Sequence, residues 1–134
     1  MSVNAYINFQ GQGQAAVTFY TEVFNLQEPQ LLTYGSVEYY ANRPEVKDYI
    51  LHTELNISGS RVMISDILPE EEFVRGNGFA LALVSSNKDE LQQAFDRLQV
   101  GGKVTMPLQQ TFFSEYYGML EDQFGINWLF TLEK

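Results

Sequence analysis

The chain has 134 residues, of which 45% are hydrophobic and 14% aromatic, as expected for one globular domain with its own core. A formal net charge of −9, with no cluster of Lys or Arg, argues against a nucleic-acid partner because phosphates would be repelled. The absence of cysteine excludes disulfides, thiolate nucleophiles and zinc–sulfur sites. With no basic leader segment and no apolar run near the roughly 20 residues of a membrane span, we expect a cytoplasmic protein without a membrane partner.

The first half of the chain predicts a strand, a helix and three further strands. The strand is AYINFQ at 5–10. The helix covers about 14–24, where Val17, Tyr20 and Phe24 place apolar side chains on one face, and Asn25 offers a stop. Segments rich in β-forming residues follow at 30–40, 50–58 and 61–65, and 41–48 (ANRPEVKD) predicts a loop.

The same order of elements recurs 74 positions later, from residue 5 to residue 79. FALALV at 79–84 predicts a strand, and Asn87 followed by Glu90 predicts a helix N-cap. Leu91, Ala94 and Leu98 repeat the apolar spacing of the first helix, and Gly101-Gly102 would end the second one. The remaining strand segments are 104–113, 116–120 and 127–132.

This internal repeat predicts an α+β fold in which two βαβββ modules, 1–68 and 74–134, stand in tandem within a single domain, 1–134. The acidic run PEEEF at 69–73 would be a solvated linker. One helix covers only one face of four strands, so the other face of each sheet needs a different cover. Two modules side by side would form a curved, mixed-sheet trough suited to a ligand, with the loop 41–48 over its mouth.

Residues 11–16 (GQGQAA) match the dinucleotide-binding pattern G-x-G-x-x-A between a strand and a helix. That pattern belongs to doubly wound parallel sheets with several crossover helices, whereas this chain predicts only two helices. We therefore expect the glycines to form a turn that brings the strand and the helix close together.

Three stretches carry a resemblance to a known family: AYINFQGQGQAAVTFYTEVF (5–24), HTELNISGSRVMISD (52–66) and GGKVTMPLQQTFFSEYYGMLEDQFGINW (101–128). They resemble the PhnB-like branch of the glyoxalase / bleomycin-resistance / dioxygenase (vicinal oxygen chelate) superfamily. The resemblance implies the glyoxalase/bleomycin-resistance fold, a homodimer and a small-molecule ligand in the trough. Proteins of this branch have also carried a ubiquinone-methyltransferase label, but we find no glycine-rich loop of the kind that methyl-donor nucleotides use. The third stretch is the most specific, with Gly118, Asp122, Phe124, Gly125 and Trp128 at the branch's spacing.

The resemblance also implies where a metal ion would be held, by His, Gln or Glu at the start of a module's first strand and Glu on its last strand. At these positions the chain offers mostly apolar residues, namely Ala5 (flanked by Asn4 and Tyr6), Phe79, Ala80 and Leu129. Only Asp66 remains a plausible ligand. Since one or two donors do not hold a divalent ion, we expect no bound metal and no other cofactor.

The only histidine, His52, opens a strand in which it shares one face with Glu54 and Asn56. This face would point to the trough or to solvent. Two interpretations of His52 stay open. It is either a general base near neutral pH, oriented by Glu54 or Asp66, or a structural histidine that hydrogen-bonds across the sheet.

Two functions follow as alternatives: a small-molecule-binding protein without a catalytic metal, or a metal-dependent or His52-based lyase or isomerase of the glyoxalase type. The acidic charge and the aromatic residues favour a cationic or aromatic ligand. The predicted lining of the ligand site is Tyr6, Asn8, His52, Glu54, Asp66, Gln110, Tyr117 and Trp128.

Overall fold

The computed structural model describes residues 1–134, and the chain divides into two compact units, Met1–Phe73 and Val74–Lys134. Each unit contains one α-helix and one four-stranded mixed sheet. The predicted α+β class and the tandem arrangement of two modules are therefore confirmed. Neither α-helix has the length and apolar character that a membrane crossing requires.

The first module has the strand order β1-β4-β3-β2, with β1 parallel to β4 and the other neighbours antiparallel. Its helix packs on one face of the sheet, where Ala16, Val17 and Tyr20 are buried. Asn25 ends the helix as expected, because its positive φ of 52° is the left-handed conformation that stops helices. The elements are β1 (Ala5–Phe9), α1 (Gly13–Val23), β2 (Leu32–Thr33), β3 (Ile50–Ile57) and β4 (Ser60–Asp66).

The strand predicted at 30–40 is wrong over most of its length. Only Leu32–Thr33 is a strand, and two short 3₁₀ turns follow it. Tyr34 is buried there, with its hydroxyl donating to the main-chain oxygen of Asp66 at 2.7 Å. Gly35 lies so close to Lys47 that a Cβ would meet its carbonyl oxygen at 2.7 Å. These tertiary contacts outweigh the β propensity of the segment.

The loop predicted at 41–48 packs closely on its own module. It contains a 3₁₀ turn at Pro44–Val46, and Val46 is fully buried. Gly35 N–H donates to the carbonyl oxygen of Lys47 at 2.9 Å, and Tyr34 N–H donates to that of Tyr49 at 2.9 Å. The loop is thus an integral part of the first module.

The second module repeats this topology, with the strand order β5-β8-β7-β6 and β5 parallel to β8. The predicted N-cap of α2 is confirmed, since Asn87 Oδ1 accepts from Glu90 N–H at 3.1 Å. The strand predicted at 104–113 ends earlier, at Gln109, after two register irregularities. The elements are β5 (Leu81–Ser85), α2 (Lys88–Leu98), β6 (Lys103–Gln109), β7 (Tyr117–Glu121) and β8 (Asn127–Leu132).

Candidate functional site

The candidate site is the face of the first sheet that points away from α1, which we call the open face. Side chains alternate along β1 and β3, so that Tyr6, Asn8 and Glu54 lie on this face while their neighbours are directed to the helix. Tyr6 and Glu54 are both paired with Met63 of the central strand β4, so these three form one row across the sheet. Polar and aromatic groups from two strands therefore share one surface.

His52 lies on the open face beside Tyr6. Their ring centroids are 6.1 Å apart with the planes tilted by 34°, and the two side chains lean toward each other across β4. Tyr6 is half exposed and His52 is partly buried. The imidazole makes no hydrogen bond within the module, so it is available to a ligand as a donor, an acceptor or a base.

Neither of the two predicted carboxylates orients His52. The Glu54 carboxylate is directed to Arg61, at 3.6 Å, and both side chains of this pair are half exposed. Asp66 is only 1% exposed, and its oxygens accept from the backbone N–H groups of Gly11 (2.8 Å), Gly13 (3.0 Å) and Ile50 (2.7 Å). The structure therefore places Asp66 in the core as a structural carboxylate, apart from the open face.

Asp66 also explains the glycine pattern at 11–16. Gly11 has a positive φ of 93°, which favours glycine, and a Cβ on Gly13 would lie 2.5 Å from Asp66 Oδ2. The N–H groups that bind a phosphate in the dinucleotide pattern here bind the protein's own carboxylate. The glycines form the close strand–helix turn that the sequence predicted.

Trp128 is likewise placed in the core, although it was predicted to line the ligand site. It is 2% exposed, and its Nε1–H donates to Asp122 Oδ2 at 2.9 Å. Asp122 Oδ1 accepts from the N–H groups of Phe124 (2.9 Å) and Ile126 (3.0 Å). The most specific stretch of the family resemblance is therefore a buried turn between β7 and β8. A carboxylate two residues before Phe124 in a glycine-containing turn was the available signal for this role.

Gln110 and Tyr117, the other two predicted lining residues, belong to the second unit. Gln110 is exposed just beyond β6. The Tyr117 ring is partly buried and meets the Phe113 ring edge-on, with centroids 4.8 Å apart. Within their unit both residues flank the turn between β6 and β7.

The residues present do not fit the divalent metal site that the fold family implies. No group of three or more His, Asp or Glu side chains is close enough to hold a metal ion. The one plausible ligand, Asp66, already directs both oxygens at backbone N–H groups. A divalent ion would need several converging donors that this chain does not bring together.

The clearest electrostatic perturbations lie beside the loop 41–48. Arg43 contacts Glu70 at 2.7 Å and Glu45 at 3.0 Å. The hydrogen bond from Arg43 holds the pKa of Glu70 below its ordinary value. Burial raises the pKa of Tyr34, and the neighbouring Tyr40 adds to the effect. These groups maintain the loop on its module and do not touch His52.

Comparison with known proteins gives one family and several relatives. The model of the Glyoxalase/Bleomycin resistance protein/Dioxygenase superfamily matches residues 4–130. Protein YjdN of Escherichia coli (strain K12) is 28% identical over 143 residues, which covers 100% of this chain and 97% of YjdN.

Two solved structures are similar over the same length. Protein PA1353 from Pseudomonas aeruginosa is 28% identical with a TM-score of 0.87, covering 99% of this chain and 98% of that one. A putative 3-demethylubiquinone-9 3-methyltransferase, PhnB protein, from Bacillus cereus is 25% identical with a TM-score of 0.81, covering 99% of this chain and 100% of that one. The similarity extends over both modules.

Proposed function

The chain belongs to the Glyoxalase/Bleomycin resistance protein/Dioxygenase superfamily and to its PhnB-like branch, and we propose that it binds a small organic molecule on the open face of its first sheet without a catalytic metal. The proposal concerns the surface around Tyr6, Asn8 and His52. It leaves out Asp66 and Trp128, because both are buried and fully engaged within their own modules.

The observation that carries this proposal is the pairing of Tyr6 with His52. Two rings with centroids 6.1 Å apart, one half exposed and one without a hydrogen bond, offer flat surfaces and polar atoms to a planar ligand. Asn8 lies on the same face and adds an amide donor and acceptor. The net charge of −9 favours a cationic or aromatic ligand over an anionic one.

The methyltransferase name of the Bacillus cereus relative is not extended to this chain. A methyl-donor nucleotide needs a loop whose backbone can approach its ribose and carboxylate groups. The one glycine-rich turn after a strand, at 11–13, is closed by Asp66.

A thermal-shift screen of cationic aromatic compounds and 2-oxoaldehydes tests the proposal, because a ligand that binds only the folded state raises the melting temperature. We expect a hit that is recovered unchanged, and a shift that His52→Ala or Tyr6→Ala abolishes. Glu72→Gln, a substitution of an exposed residue far along the chain from the site, is the control. A hit whose shift survives both substitutions on the open face would contradict the proposed site.

The competing function is an enzyme of the lyase or isomerase type, and the available imidazole of His52 is the observation that favours it. Here His52 would take a proton from the substrate beside the Tyr6 hydroxyl. The distinguishing measurement is turnover of 2-oxoaldehydes by the untagged protein, with and without added Ni²⁺, Zn²⁺ or Mn²⁺. Turnover lost in His52→Ala favours the enzyme, and tight stoichiometric metal binding lost in the same variant would overturn the metal-free proposal.

A further inference from the structure

The second unit contains an open pocket of about 520 Å³ that none of the predicted functions uses. Its floor is formed by Val84 of β5 and Thr131 of β8, which are register partners on the sheet. Val84 is half exposed at this position. A volume of this size lies within the roughly 300–1,000 Å³ that small-molecule sites occupy.

Phe113 forms an aromatic wall of the pocket, and its position is well supported. Its ring meets Tyr117 edge-on with centroids 4.8 Å apart, and Phe112 at 5.0 Å. The turn that carries it is closed by Thr111 N–H donating to the carbonyl oxygen of Ser114 at 2.8 Å. Ser114 Oγ in turn donates to the carbonyl oxygen of Leu132 at 3.1 Å, which ties the turn to β8. The wall is thus pre-organised, so a ligand would order little on binding.

The rim of the pocket is acidic. It carries Glu115 and Glu133 against a single cation, Lys134. Lys134 is 3.8 Å from Glu115, but both side chains are well exposed, so this contact is weak and easily exchanged. The same unit already places one ammonium group over an aromatic ring, since Lys88 Nζ lies 4.7 Å from the centroid of Tyr116.

We propose that this pocket is a second ligand site, which binds small amines that carry an aromatic group. The aromatic part packs against Phe113 and Val84, and the ammonium group lies between Glu115 and Glu133 at the rim. The Thr131 hydroxyl offers one polar contact in the floor. The pocket is formed by second-unit residues alone, so the proposal is independent of the open face of the first sheet.

Amide chemical-shift mapping of the full chain with three matched probes tests the proposal: phenethylamine, the neutral 2-phenylethanol and the anionic phenylacetate. We expect phenethylamine to perturb residues around 84, 113 and 131, and to bind about five- to tenfold more tightly than 2-phenylethanol at low salt. Phenylacetate should bind more weakly than either. The double substitution Glu115→Gln/Glu133→Gln should remove the preference for the amine while leaving 2-phenylethanol bound.

The double substitution Asp89→Asn/Asp96→Asn is the control, because it removes two negative charges from α2 of the same unit and should keep the preference. Phe113→Ala should weaken all three probes, and His52→Ala should change none. The proposal is overturned if no shift appears up to about 10 mM phenethylamine, if shifts fall only around residues 6 and 52, or if the glutamine variant keeps the preference.

Discussion

At the residue scale, each module is organised by one buried aspartate. Asp66 joins the turn after β1 to the start of β3, and Asp122 closes the turn before β8. A carboxylate that accepts several N–H groups forms charge-assisted hydrogen bonds, which are stronger than neutral ones. Both residues were close to the predicted site in sequence, yet both stabilise the scaffold rather than face a ligand.

Asp66→Asn should lower the free energy of unfolding by about 1–3 kcal/mol, because an amide NH₂ would face a backbone N–H group in place of an accepting oxygen. Urea titration measures the change. Glu54→Gln, which alters an exposed carboxylate on β3, should leave stability nearly unchanged. Equal effects of the two substitutions would contradict the structural role of Asp66.

Gly13→Ala tests the close approach at the same turn. Helix propensity alone favours alanine at a helical position, but the new Cβ would lie 2.5 Å from Asp66 Oδ2. We therefore expect a loss of about 1–3 kcal/mol. Gly78→Ala meets nothing within 4 Å and is the matched control. In Gly13→Ala/Asp66→Ala the cost should be less than the sum of the single changes, since both act on one contact.

At the scale of elements, helices were easier to predict than the segments between strands. Both helices follow from apolar spacing and local caps, and the N-cap at Asn87 forms as expected. The segment 30–40 was predicted as a strand because it is rich in β-forming residues. Its conformation depends on Asp66 and Lys47, which lie outside the segment, so a local pattern could not reveal it.

Asn87→Ala should destabilise the second module by about 1 kcal/mol, because the N–H of Glu90 loses its side-chain acceptor. Asn87→Asp, which keeps an oxygen at the same place, should retain most of the stability. Thermal unfolding followed by far-ultraviolet circular dichroism measures both. A neutral effect of the alanine substitution would show that the cap adds nothing to the helix.

The contact of Arg43 with Glu70 and Glu45 should make the loop 41–48 sensitive to acid. Hydrogen bonding to Arg43 lowers the pKa of Glu70, and hydrogen bonds to its own backbone and then to Arg43 lower the pKa of Glu45, both from the ordinary 4.5. A carboxyl whose folded pKa is depressed contributes stability above its unfolded pKa and loses it as pH falls through the folded value.

Hydrogen exchange at residues 41–48 should therefore accelerate, relative to the intrinsic rate, as pH falls below 4.5. Arg43→Gln should accelerate exchange already near neutral pH and flatten this dependence. Lys103→Gln, a charge change on β6 in the other module, is the matched control. Exchange that follows the same pH profile in Arg43→Gln would contradict the role of the ion pairs.

At the scale of the whole molecule, we expect a homodimer, as the family resemblance implies. Several large apolar side chains are strongly exposed, including Phe79 (92%) and Phe112 (100%), and a second copy would cover such groups. Light scattering after size exclusion should give twice the chain mass, and Phe112→Ser should shift the equilibrium toward monomer if this surface is used. A monomer at all accessible concentrations would contradict the expectation.

The sequence by itself determined the two modules, their helices and most of their strands, because apolar periodicity, caps and turn residues act over a few neighbouring positions. It also placed His52 and Glu54 on one strand face, since alternation is local. Only the tertiary structure decided that Tyr6 meets His52, because β1 and β3 are joined through β4. It alone showed that Asp66 is committed to N–H groups of residues up to 55 positions away. Whether a polar side chain faces a ligand or the core depends on partners distant in the chain, and no local pattern contains them.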